Sequence, residues 1–138
     1  MITNKLYELA EKEKIDIFNY KMVNHKARII SDTNNAIFMD YSQIGTSIEE
    51  KEILAEELGH YYYDSYYNIN SSRQDIDRCE YRAKKWKALT LCPLNSILDC
   101  FNSGIYNLYD IAERLEISPN TVEFAYNYYM NNQLINLR

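Results

Sequence analysis

The chain is poor in the residues that mark several protein classes. Its three cysteines, Cys79, Cys92 and Cys100, are odd in number and form no CxxC pair. Neither a disulfide framework nor a cysteine-rich zinc knuckle is therefore indicated, and reduced thiols in or near a core are expected. Glycine and proline are scarce, at three and two residues, and a composition 46% apolar and 25% charged leaves no place for disordered, collagen-like or other fibrous classes. Long apolar runs are missing. Stretches such as Ala36–Met39 fall far short of the ~20 residues that cross a bilayer, so no membrane span is expected. Met1 to Ile15 is charged throughout and lacks the apolar segment and cleavage site of a secretory signal, which points to a cytoplasmic protein. Positive charge is also in deficit: 15 Lys and Arg against 20 Asp and Glu give a net −5, the wrong sign for holding nucleic acid through its phosphates. What is present suffices for a core, and 138 residues suit a single domain covering 1–138.

Apolar periodicity and turn residues organise the chain as α+β. Leu6, Leu9 and Ala10 share one face of a helix over roughly Asn4 to Lys14. Ala27–Ser31 and Ala36–Asp40 are β-prone runs joined by the turn formers Asp32-Thr33-Asn34-Asn35, an antiparallel hairpin to which Ile15–Phe18 can add a third strand. Ser47-Ile48-Glu49-Glu50 fits a capping box opening a helix that runs to about Tyr63. A second long helix covers about Gln74 to Leu91 and is stopped by Pro93. Three shorter helices are expected over about Asn95–Phe101, Leu108–Leu115, and from Ser118 as N-cap with Pro119 at the first helical position.

The informative segment is Glu56-Glu57-Leu58-Gly59-His60. At about 100° per residue, Glu56 and His60 lie one turn apart on one face with Glu57 on its flank, while Leu54, Leu58 and Tyr61 form the arc that seats the helix. Gly59 inside a helix costs about 1 kcal/mol relative to alanine, which implies a close packing partner there. In the zinc-protease motif HExxH two histidines bind the ion and the glutamate takes a proton from water. Here the motif is EExxH, so a further ligand has to come from another element, and Glu80 on the following helix is the leading candidate.

The block Leu54-Ala55-Glu56-Glu57-Leu58-Gly59-His60-Tyr61, followed by Glu80-x-x-Ala83-x-x-Trp86 and then Pro93, resembles the ImmA/IrrE family of metallopeptidase-like proteins, in order and in spacing, and the likeness extends from about Leu6 to Tyr129. The resemblance implies a zincin-like fold with a small antiparallel hairpin or sheet, an active-site helix, a following ligand helix and short C-terminal helices. It further implies a zinc-dependent endopeptidase with His60 and Glu80 as metal ligands and Glu57 as general base. Proteins of this type are associated with phages and integrative elements, where they cleave helix-turn-helix repressors, so the implied partner is such a repressor.

Glu56 stands where the family motif has its first histidine, and three outcomes are open. Glu56 ligates the metal, which with two anionic ligands acidifies water less and favours a harder ion such as Mn²⁺ over Zn²⁺. Alternatively Glu56 points elsewhere and Asp64 completes the site. In the third case no metal binds, and the chain is a catalytically inactive binding module that engages a repressor or other regulator. Among the other candidates, His25 has no spaced partner and reads as structural, and the tyrosines of Tyr61–Tyr67 and Trp86 read mainly as packing. Arg82, Lys84, Lys85 and Lys87 read as a solvated face. The segment 104–131 has a helix-turn-helix outline, which raises a DNA-binding adaptor as a third possibility. Its second helix, however, has no Lys or Arg from Pro119 to Gln133 and carries Glu123, so direct nucleic-acid contact is not expected.

Overall fold

The computed structural model of the protein describes residues 2–31, 34–63 and 70–135. It is α+β, and among the described residues six α-helices surround a mixed three-stranded sheet. The helix α1 (Ile2–Lys12) buries Leu6 and Ala10. It turns into β1 (Asp16–Asn19) through Lys14, whose φ of 60° is left-handed. Strands β2 (Ala27–Ser31) and β3 (Asn35–Met39) form the expected antiparallel pair, with Ile29 opposite Ile37. Of their connection, Asp32 and Thr33 lie outside the described residues.

The sheet corrects one expectation. It is mixed, not antiparallel throughout: the order is β1-β3-β2, and β1 runs parallel to β3, with Ile17 beside Ile37. The chain leaves β1, passes over the slot that β3 will fill, and returns through the hairpin, so β3 becomes the central strand. Its Ile37 and Met39 are accordingly fully buried. Asp40 ends the strand instead of extending it. Its carboxylate accepts from Gln43 Nε2 (2.8 Å), Ser42 Oγ (2.5 Å) and Met22 N (3.0 Å), and these donors hold its pKa well below the usual carboxylate range. The result is a short 3₁₀ turn over Tyr41–Gln43.

The helix α2 (Ser47–Tyr62) starts one residue earlier than the Ser47 box implies. Thr46 is the N-cap, accepting from Glu49 N at 3.0 Å, and Glu49 reaches back to Gly45 N. Thr46-x-x-Glu49 and Ser47-x-x-Glu50 are overlapping boxes, and the second glutamate is taken by a tertiary partner, the Tyr7 hydroxyl at 2.7 Å. The helix α3 (Arg73–Leu91) is capped by Ser72 and ends before Pro93. It is followed by α4 (Leu94–Asn102), α5 (Leu108–Leu115) and α6 (Pro119–Asn131), the last capped by Ser118 as expected.

Leu6, Leu54, Leu58, Ile97 and Val122 join the sheet residues in one buried cluster. Burial of such side chains, at about 1.5–3 kcal/mol each, is the main force seating α2 between the sheet and the C-terminal helices. Cys79, Cys92 and Cys100 are buried, and burial pushes the Cys92 thiol up to about 12, which keeps it unreactive at neutral pH. Among the described residues no helix is long and apolar enough to cross a membrane.

Candidate metal-centre region

The candidate residues lie along the seam where α2 and α3 run antiparallel. Its midpoint is Gly59. A Cβ built there would stand 2.6 Å from the Ala83 carbonyl oxygen and 2.9 Å from Ala83 Cα, so only glycine allows the two backbones this close. The seam fixes which side chains meet. On α2, Glu52, Glu56 and His60 follow one another at one-turn intervals. On α3, Glu80 and Lys87 are separated by seven residues, about 10 Å of helix. With Gly59 against Ala83, His60 falls opposite Glu80, and Glu56 falls opposite Lys87.

At the first of these crossings, His60 Nε2 is 3.5 Å from Glu80 Oε1, with His60 buried and Glu80 half-buried. Glu57 lies on the flank, where its Oε2 accepts the Ile29 backbone N–H of β2 at 2.8 Å. Burial pushes the Glu57 carboxyl up to about 7. The His60 ring and the Ile29 N–H oppose the rise, and the nearby carboxylates of Glu56 and Glu80 add to it. A carboxyl in that range can both accept and return a proton near neutral pH. The structure thus brings together three of the four candidate side chains, Glu57, His60 and Glu80.

Glu56 is turned to the other crossing. Its Oε1 accepts from Lys87 Nζ at 3.0 Å, and the same ammonium lies 3.8 Å from Glu52 Oε1. The Lys87 side chain is only 17% exposed, so it does not belong to a solvated face as expected. Arg82 and Lys84 are exposed, and Lys85 sits over the Tyr128 ring at 5.1 Å. Asp64, the alternative ligand, lies outside the described residues, as do Tyr66 and Tyr67. Tyr61 donates to Glu13 Oε2 at 2.8 Å, Tyr62 stacks on Trp86 at 5.0 Å, and His25 is exposed beside Arg28.

The donors present fit a divalent cation at two corners. Tetrahedral zinc with ligands at about 2.0–2.1 Å sets neighbouring donor atoms about 3.3 Å apart, and the His60–Glu80 separation of 3.5 Å meets that spacing. They do not supply the third corner. Among the described residues no group of three or more His, Cys, Asp or Glu side chains is arranged to hold a metal, and the Glu56 carboxylate is paired with Lys87.

Sequence reasoning missed Glu52. It is buried, and its carboxylate accepts from the Ser118 backbone N–H, the Ser118 hydroxyl at 2.9 Å and the Thr121 hydroxyl. The buried Lys51 donates to the carbonyl of Glu116, whose φ of 55° makes the left-handed turn between α5 and α6. The only signal available was the continuation of the Glu56–His60 face by one turn. No protein-family model matches this sequence, and no curated protein matches it either.

Proposed function

We propose that the protein is a metallopeptidase-type endopeptidase domain on an ImmA/IrrE-like, zincin-like scaffold, acting on a helix-turn-helix repressor of a phage or integrative element. The observation that carries this reading is the convergence of His60 and Glu80 from consecutive helices beside the buried carboxyl of Glu57. Zn²⁺ or Mn²⁺ held by His60 and Glu80 would supply Lewis-acid polarisation of the scissile carbonyl. Glu57 takes the proton of the attacking water and returns it to the leaving amine nitrogen. An extended substrate segment would align along the edge strand β2, whose Ile29 N–H holds the base in place.

The test is incubation of the purified chain with the repressor encoded beside it, with Zn²⁺ or Mn²⁺ added. Discrete fragments are expected, and Glu57→Gln abolishes them. Intact repressor under every metal condition overturns the peptidase reading.

A second reading is favoured by the Glu56–Lys87 pair, which withdraws one anionic donor from the cation. On this reading the chain is a binding module that grips the repressor without cutting it, and complex formation is unchanged by Glu57→Gln. A DNA-binding role for α5 and α6 has less support. A helix-turn-helix reads bases with the N-terminal end of its second helix, and that end of α6 is bonded inward to Glu52.

A further inference from the structure

We infer that Lys87 is a positioning residue that acts as a resident counter-cation: by holding Glu56, it keeps that carboxylate out of the cation site and thereby sets the site's metal affinity. This rests on the reading of His60 and Glu80 as metal donors.

The geometry makes the choice binary. Glu56 and His60 are one turn apart on α2, so a Glu56 side chain released from α3 faces the same groove as His60. In the structure it is bound instead at 3.0 Å to an ammonium that is itself largely enclosed, with Glu52 3.8 Å away on its other side. Glu52 cannot replace Glu56 in this pairing. Its oxygens are already committed to Ser118 and Thr121 at the start of α6, so Lys87 serves as the counter-charge for both carboxylates. A charge pair with little solvent around it is costly to break from one side, and a metal ion that recruited Glu56 would have to strand Lys87. Among the described residues the site therefore offers two donors while Lys87 holds Glu56 and three when it does not.

The experiment measures Zn²⁺ affinity of the full chain by equilibrium competition with a chromophoric chelator, alongside thermal unfolding in EDTA. The variants are Lys87→Met, Glu56→Gln, the double variant and His60→Ala. Glu56→Gln alone is expected to change Zn²⁺ affinity less than about threefold, because the carboxylate is not a donor in the wild type. Lys87→Met is expected to tighten Zn²⁺ at least about tenfold, and the double variant to lose that gain. A tenfold weakening by Glu56→Gln, which is isosteric and leaves Glu52 beside Lys87, overturns the inference if that variant unfolds cooperatively, even if Lys87→Met fails to fold. An unchanged affinity in a cooperatively unfolding Lys87→Met also overturns it. Wild-type binding that His60→Ala leaves intact instead removes the metal-site reading beneath the inference, an outcome that involves neither Lys87 nor Glu56.

Discussion

The two ends of the α2–α3 seam are built from the same helices, eight residues of α2 apart, and they handle charge differently. At one end Glu52 and Glu56 face Lys87, and the negative charge is balanced by the chain itself. At the other end His60 faces Glu80 with Glu57 alongside, and burial raises the Glu57 pKa. The contrast teaches that an acidic helix face need not be uniform in purpose. A carboxylate matched to a fixed ammonium has a structural assignment, whereas a buried carboxyl whose proton is held up to about pH 7 is in a position to do chemistry.

The largest expected effect tests the His60–Glu80 end. On the peptidase reading proposed above, Glu57→Gln should lower repressor cleavage by about 10²–10⁴-fold, the usual worth of a general base, without lowering the thermal midpoint. Fragment yield against time checks this, and retained cleavage would remove Glu57 from the role.

Gly59→Ala tests whether the two ends share one rigid seam. Its Cβ would meet backbone atoms of Ala83, not a flexible side chain, so the helices must separate. A net loss of about 2–3 kcal/mol in denaturant unfolding is expected, even after the about 1 kcal/mol that alanine gains over glycine in a helix.

Glu52→Ala tests the structural end. It leaves the Ser118 N–H and the Thr121 hydroxyl without their acceptor, and about 2 kcal/mol of stability should be lost, with hydrogen exchange rising first at the start of α6.

The pH dependence sharpens the comparison further. Glu57 binds its proton more tightly folded, at about 7, than unfolded, at about 4.5. Its contribution is therefore full below about pH 4.5 and lost as pH rises through 7. Metal-free wild type should lose on the order of 2–3 kcal/mol between pH 5 and pH 8 through this group, and Glu57→Gln should flatten that fall. The smallest effect is Arg73→Ala, which breaks an exposed pair with Asp77 at 3.3 Å. Under about 0.5 kcal/mol is expected, a baseline against which the seam's pairs can be judged.

The elements were legible because each was written locally. The Ser118-Pro119 start of α6, the Pro93 stop and the Ala27–Met39 hairpin depend on near neighbours in sequence. The parallel pairing of β1 was not, because a four-residue strand carries no mark of its direction. The Ser47 box alone puts the start of α2 one residue late, whereas Thr46 is the N-cap and Glu50 bonds to Tyr7, 43 residues away.

The site was legible in the same measure. The i, i+4 spacing put Glu56 and His60 on one face, and Gly59 announced a close approach, which the Ala83 backbone provides. Glu80 is the expected partner of His60 and lies opposite it, but the partner of Glu56 across the seam could not be read. Glu80 and Lys87 sit on one face of α3, and only the crossing point at Gly59 determines which faces Glu56. Lys87 looked like one of four surface cations until the register made it the inner one.

The join at the start of α6 has a mechanical consequence. Pulling the α5–α6 pair outward would strip an anion of its donors in a nearly dry gap and uncover the Lys51 ammonium in the same motion. The C-terminal hairpin of helices is therefore tied, through buried polar groups that are costly to separate, to the same helix that bears Glu57 and His60.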